Sequence, residues 1–296
     1  MSRGSASEDE GSSSPPPVPG DRFVDHPVLT AMLIAVLAGL LLQMSNIAGF
    51  QEFLDSNFAN RRVLVLLFDF AFRMAMGALL VLLALPALLG LVRRGSWFGD
   101  YASLLRLSTR ESPSKTAAVA IQATAAFLFV VIAFSVGAGV FRADLGVLVE
   151  EENWLIFLWA LIPGIWEELT FRGVVLSGLQ QRFSPMAAVT GSSIVFGLFH
   201  LSNLVSWDDS ESVLASVIAA MTLGLAWAYM TLKTNSVLPA IINHYVVDVV
   251  LFLEVFIDPA ANDDSTTIVY LAVVILYPTL TILLTKRLFP ASSTSS

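Results

Sequence analysis

The sequence predicts an all-α protein, a polytopic membrane helical bundle of about eight transmembrane helices. Hydrophobic residues make up 56% of the 296 positions and charged residues only 14%, and the mean hydropathy is +0.75. Soluble globular chains are about 45–50% apolar and about 25% charged. The apolar residues also come in blocks of about twenty, the length a helix needs to cross roughly 30 Å of hydrocarbon. The chain has no cysteine, which excludes disulfides, iron–sulfur clusters, Cys-ligated zinc and a cysteine nucleophile. A net charge of −8 argues against nucleic-acid partners, whose binding needs clustered Lys and Arg. Only three of the sixteen basic residues are lysine and the acids gather in short loops, a surface that suits high-salt water.

Residues 1–27 are rich in Ser, Pro, Gly and acid, with almost nothing to bury, and read as a disordered cytoplasmic tail. No apolar core lies near the start, so the tail does not read as a signal peptide. Eight apolar segments follow, near 28–50, 63–92, 116–140, 154–176, 185–204, 213–232, 237–257 and 267–288. Pro86 predicts a kink or an early end in the second. Pro163 in the fourth could begin a new helix, since proline is tolerated in a first turn, so seven and eight spans are both compatible with the pattern. Loop charges set the orientation. With the N-terminus inside, eleven Lys and Arg are cytoplasmic and only Arg61, Arg62 and Arg142 lie opposite. Eight spans then put both termini in the cytoplasm and the acidic loops near Glu150–Glu152, Asp208–Glu211 and Asp263–Asp264 outside.

An ionisable group at bilayer depth costs several kcal/mol unless it is paired or hydrated, so each one needs a reason. Asp69 and Arg73 are four apart on one helix face and can neutralise each other. Glu254 lies within a turn of the outer boundary. The stretch Trp166–Gly173, WEELTFRG, asks for more. Arg172 can hold Glu168 one turn away as a buried ion pair, but Glu167 is rotated about 100° from Glu168 and faces elsewhere. His200 closes Phe196–His200, FGLFH, where Phe196 sits one turn below and can wall the ring. His244 and Asp248, in HYVVD, share a face, so the carboxylate can orient the imidazole or share a ligand with it. Two histidines with a spare Glu and Asp point to a site.

Helix arithmetic brings these groups together. Segments four and five form a hairpin turning at Phe183–Pro185, and Glu167 and His200 are each about sixteen residues from the turn, hence level. Depth counts put Glu167 and His244 roughly 10 Å above the cytoplasmic face and His200 roughly 22 Å above it, which falls to about 12 Å when the polar run Ser177–Arg182 projects about 10 Å into the cytosol. Two imidazoles and one or two carboxylates in a partly dry cavity can hold a zinc-like ion with an open position for water. They can equally activate water directly, with a Glu as general base and the remaining groups polarising a carbonyl. Ion or proton transport uses similar residues.

The order EExxxR, FxxxH, HxxxD resembles the CPBP family of intramembrane endopeptidases, which includes the type II CAAX prenyl proteases and the bacteriocin-processing or immunity Abi proteins. Here the motifs are Glu167–Arg172, Phe196–His200 and His244–Asp248, flanked by Phe171-Arg172-Gly173 and by Thr234–Pro239. The likeness covers about 163–250. It implies a transmembrane peptidase domain over 28–290 with a family core at 150–255, in the cell membrane, opening to the cytosol and cutting a membrane-associated protein, of which CAAX-type prenylated proteins are one class. By position, Glu167 would be the catalytic base that activates water, and His200 would bind that water or a metal. His244 and Asp248 would be metal ligands or oxyanion stabilisers, and Glu168, Arg172 and Phe196 would support them. A Zn2+ held by Glu167, His200, His244 and Asp248 is one version of this site and a metal-free site is the other. The family's usual Asn at the last position is Asp248 here, which adds a charge and favours a metal slightly. The zinc-protease signature HExxH is absent. Two other functions use the same residues: a non-catalytic membrane scaffold or immunity protein, and a proton- or ion-coupled transporter.

Overall fold

Each of the eight apolar blocks becomes one helix in the structure, a computed structural model that describes residues 23, 25–46, 53–54, 56, 61–93, 97–107, 113–149, 152–205 and 210–290. The helices are α1 (Pro27–Leu42), α2 (Arg62–Leu88), α3 (Trp97–Leu104), α4 (Pro113–Gly137), α5 (Asn153–Leu179), α6 (Pro185–Val205), α7 (Ser210–Thr234), α8 (Leu238–Phe252) and α9 (Asp263–Leu288). Six of them, α2, α4, α5, α6, α7 and α9, are long and apolar enough to cross a membrane. The protein is an all-α, multi-pass membrane bundle. The short helix α3 falls in a stretch that the sequence reading left as a loop. Residues 1–22 of the expected tail lie outside the described chain, but Phe23 is buried, and its ring fills the space beside Gly178 of α5.

Prolines shape two of the spans. Helix α2 passes through Pro86 without ending, by opening into a π turn over Leu80–Ala84. A π turn would pair the Val81 carbonyl with the amide of residue 86, which proline lacks. The Tyr101 hydroxyl of α3 supplies the missing donor at 2.6 Å. Helix α5 is likewise continuous across Pro163, with π turns at Pro163–Glu167 and Leu169–Val175. The fourth apolar segment is therefore one span. Helix α1 stops at Leu42, well short of the expected residue 50, because the next polar side chains are used elsewhere. Gln43 donates to Asn203 at 3.0 Å, and Asn46 accepts from Arg73 at 2.6 Å.

The helices close on one another in the order α4, α9, α7, α6, α1, α2, with α8 against α4 and against the first π turn of α5. Small residues permit the closest approaches, as is usual where lipid supplies no hydrophobic drive. A Cβ at Gly197 would fall 2.2 Å from Met221 Cγ and 2.9 Å from the Val217 carbonyl oxygen, and one at Gly77 would fall 2.1 Å from the Trp166 ring. The turn from α7 to α8 takes three residues, with Asn235 in the left-handed region at φ 48° and the Thr234 hydroxyl accepting from the Ser236 amide at 3.3 Å.

The two ends of the bundle are tied differently. At one end, the α4–α5 and α8–α9 connections pair through an antiparallel bridge between Phe141 and Ile257, with Phe141 stacked on Phe256. There the Gly146 amide and Arg142 hold the Asp144 carboxyl below its usual range. At the other end sits Arg106, which sequence alone places in a cytoplasmic loop but which is buried. Its guanidinium donates to Ser177 at 2.9 Å, to the Thr231 carbonyl at 3.3 Å and to Gln180, while its own carbonyl accepts from the Val237 amide. Burial pushes this guanidinium down to about 10, so it stays charged at neutral pH and pins α3 to α5, α7 and the start of α8.

Two measurements check this arrangement. Gly197→Ala should cost about 1–3 kcal/mol by overpacking against a backbone carbonyl, read as thermal unfolding in detergent, while Gly99→Ala, with no neighbour within 4 Å, should leave the transition in place. Because the chain has no native cysteine, single cysteines report on orientation directly. An impermeant thiol reagent applied outside intact cells should label Ala260→Cys and not Ser184→Cys, both exposed positions. The reverse pattern would invert the topology drawn from loop charges.

Candidate functional site

Helix α5 carries the acidic pair across its two π turns, which lie on either side of Glu168. Such widened turns re-aim side chains and recur at functional sites. The neighbouring carboxylates leave the helix about 100° apart. Glu168 points into the protein, and Glu167 lines a cavity of about 740 Å³. His200, at the junction of the α-helical and 3₁₀ parts of α6, lines the same cavity, as do Phe196, His244 and Asp248. The structure thus brings all four residues proposed from the motifs as catalytic or metal-binding to one space, with Phe196 in its wall. Glu168 and Arg172 lie behind it, both side chains 0% exposed.

The buried layer is built around Glu168. Its Oε2 lies 3.2 Å from Arg172 Nε, and its Oε1 accepts from His244 Nδ1 at 2.9 Å. The second contact is absent from the sequence reading, in which Glu168 served only Arg172. The guanidinium sits 4.0 Å above the Phe196 ring and 5.4 Å from that of Trp227, positions where the π faces attract a cation in place of water. Gly224 leaves room for this, since a Cβ there would come within 3.2 Å of the guanidinium.

His244 is fixed on three sides. Glu168 holds Nδ1, Asp248 Oδ2 lies 3.5 Å from Nε2, and the Trp227 indole stacks on the ring at 4.3 Å with a 23° interplanar angle. Trp227 is held in turn by a directed chain of hydrogen bonds. Its Nε1 donates to the Tyr277 hydroxyl at 3.2 Å, Tyr277 donates to Asn243 Oδ1, and the Asn243 amide donates to the Ala120 carbonyl and to Thr124. Sequence reasoning missed Trp227, Tyr277 and Asn243. Asn243, a polar amide in an apolar helix next to His244, is the signal that the sequence offers. Nothing in the sequence marks the stack.

His200 packs edge-on against Phe196 at 4.8 Å, and its Nδ1 lies 3.0 Å from the Phe196 carbonyl. A carbonyl only accepts, so Nδ1 carries the proton and Nε2 is left with its lone pair toward the cavity. Glu167 Oε2 and Asp248 Oδ2 are buried atoms with no hydrogen-bond partner among the described residues. Glu167, Asp248 and His200 line one cavity, and among them they carry two unpartnered carboxylate oxygens and an imidazole lone pair, all of them acceptors.

That arrangement does not form a metal cage. Among the described residues, no three His, Asp or Glu side chains come together as a ligand set. The side chains as placed do not fit a zinc ion.

The sequence matches the Type II CAAX prenyl endopeptidase Rce1-like family over residues 149–250. No curated protein matches the chain. The Rce1-like segment is about a third of the chain and contains all of the site motifs. The match supports a protease function within the membrane.

The cavity also extends along the bundle. Its wall includes Leu42 and Gln43 at the end of α1, Ile156 at the start of α5, Asn203 at the end of α6, Ser212 at the start of α7 and Phe252 at the end of α8. All of these belong to the end of the bundle away from the start of α1, which loop charge assigns to the outside. An opening on the cytosolic face and cytoplasmic termini, both expected from sequence, therefore do not combine with this cavity.

Replacing one partner of the buried pair should be costly. Arg172→Met should lose about 3–5 kcal/mol by stranding a carboxylate, and Glu168→Gln/Arg172→Met should recover most of that loss. Unfolding titrations of both variants in mixed micelles give the comparison.

Proposed function

We propose that this protein is an intramembrane endopeptidase that hydrolyses a peptide bond of a membrane-associated protein with a water activated by Glu167. The observation that carries the reading is the unpartnered, buried Oε2 of Glu167 on the wall of the cavity shared with His200, His244 and Asp248. The Rce1-like match makes prenylated C-terminal segments the substrate class to try first.

The chemistry follows from the hydrogen-bond pattern. Water between Glu167 and His200 gives one hydrogen to the His200 Nε2 lone pair and the other to the Glu167 carboxylate, which turns its oxygen toward the scissile carbonyl. As that oxygen attacks, charge develops on the carbonyl oxygen. His244, as an imidazolium flanked by the Glu168 and Asp248 carboxylates, keeps Nδ1–H on Glu168 and donates Nε2–H to that oxyanion. Protonated Glu167 then passes its proton to the leaving amine as the tetrahedral intermediate collapses. Glu168, Arg172 and Trp227 touch no reacting atom in this scheme; they hold the His244 ring.

The decisive comparison is a census of new protein termini in membranes of cells carrying the wild type or Glu167→Gln at matched expression. Termini present only with the wild type are expected, as is cleavage of a farnesyl-cysteine peptide by purified wild type and not by Glu167→Gln. A general acid–base contribution of 10²–10⁴ sets the expected loss at about a hundredfold or more. Cleavage should persist after dialysis against a chelator. Identical termini in the two samples, with a phenotype common to both, would establish the scaffold instead.

A further inference from the structure

The cavity that holds the catalytic groups opens at one end of the bundle and is sealed toward the other. Its innermost wall residues are Glu167 on α5, Phe196 on α6, Trp227 on α7 and His244 on α8. Beneath them the packing closes. Every residue of α5 from Glu168 to Leu179 is buried, as is every residue of α7 from Ala226 to Thr231. The Arg106 guanidinium then bridges Ser177 and Gln180 of α5 to the Thr231 carbonyl of α7. In the other direction the same four helices contribute Ile156, Asn203, Ser212 and Phe252 to the wall, and Ser212 is exposed.

The reacting groups lie close to this mouth. Asp248 stands four residues before Phe252 at the end of α8, roughly 6 Å of helix. His200 begins the 3₁₀ turn that ends α6 at Val205, roughly 10 Å of rise. An extended peptide covers 10 Å with about three residues.

Charge at the two ends of the bundle assigns the mouth to a compartment, because Lys and Arg near span ends mark the cytoplasmic side. At the sealed end, Arg93 and Arg106 lie between α2 and α4 and Lys115 begins α4. Arg182 follows α5, Lys233 ends α7, and Lys286 and Arg287 end α9. The mouth end has Arg61, Arg62 and Arg142. Two of these are matched by acids, Arg62 with Glu152 at 3.4 Å and Arg142 with Asp144 at 2.9 Å. The first turns of α7 and α9 at that end carry Glu211, Asp263 and Asp264 and no base.

We propose that the mouth faces the extracytoplasmic side, and that the substrate is a membrane protein cut where its chain leaves the bilayer on that side, about three residues below the surface. This rests on the endopeptidase reading and adds the compartment to it. The reaction is the same hydrolysis: water adds across the C–N bond, one fragment takes a carboxylate and the other an amine, and the part beyond the cut leaves outward.

Protein in detergent has no sides, so the farnesyl-cysteine assay reads chemistry alone, and sidedness is read in intact cells. Ser212→Cys and Ser216→Cys place single thiols at the rim and one turn deeper on the wall of a chain with no native cysteine, and Lys286→Cys places one at the sealed end. A small membrane-impermeant thiol reagent outside the cells should label the first two to completion, Ser216→Cys more slowly, and Lys286→Cys only after permeabilisation. New termini that require Glu167 should fall in extracytoplasmic segments next to membrane spans, with matching fragments in the medium. Labelling of Ser212→Cys only after permeabilisation, or Glu167-dependent termini in cytosolic segments, would overturn the proposal and leave the endopeptidase standing. External labelling with no Glu167-dependent terminus on either side would overturn the endopeptidase reading, and the substrate named here with it.

Discussion

A carboxylate and a guanidinium held out of water inside a membrane bundle must be compensated on every side, and the region around Glu168 and Arg172 is organised by that demand. Each is too costly to bury alone. Their mutual attraction requires the one-turn spacing on α5, the rings of Phe196 and Trp227 around the cation, and the small Gly224 that lets α7 come close. Because Glu168 has a second oxygen to satisfy, it also takes His244 Nδ1. One electrostatic requirement thus brings α5, α6, α7 and α8 into register and leaves a single imidazole edge facing the cavity.

The two adjacent glutamates show how environment divides identical side chains into different roles. Glu168 is enclosed, with one oxygen bonded to His244 and the other in an ion pair with Arg172, whereas Glu167 lines the cavity and has neither partner. Adjacency produces this division, since successive residues leave a helix about 100° apart, and π turns lie on either side of Glu168. Support for the His244 ring continues outward through Trp227, Tyr277 and Asn243 to the backbone of α4. Hydrogen bonds of one direction therefore connect the middle of a lipid-facing helix to the ring that faces the cavity.

Much of the bundle was legible in sequence because hydrocarbon imposes a simple rule: long apolar runs become helices, and the eight blocks correspond to α1, α2 and α4–α9. The rule says nothing about where polar side chains are spent, and there the reading failed. Helix α1 ends early because Gln43 and Asn46 serve partners on α6 and α2, and α2 survives Pro86 because a tyrosine on the unforeseen α3 satisfies its carbonyl. At the site, spacing alone gave the Glu168–Arg172 pair, the Phe196 wall beside His200 and the neighbouring His244 and Asp248, since each lies within one turn. The Glu168–His244 bond and the Trp227 stack join residues far apart in the chain. Only packing reveals them.

Helices α1 and α8 have 16 and 15 residues, or roughly 24 and 22 Å of rise, against about 30 Å of hydrocarbon. Both end on the cavity, at Leu42 and Phe252. A helix shorter than the hydrocarbon is accommodated by local thinning of the bilayer, at fractions of a kcal/mol per Å of mismatch. Thinning beside the shortened pair would bring the aqueous boundary down toward the polar side chains that line the cavity, so that water reaches them through the membrane's own deformation.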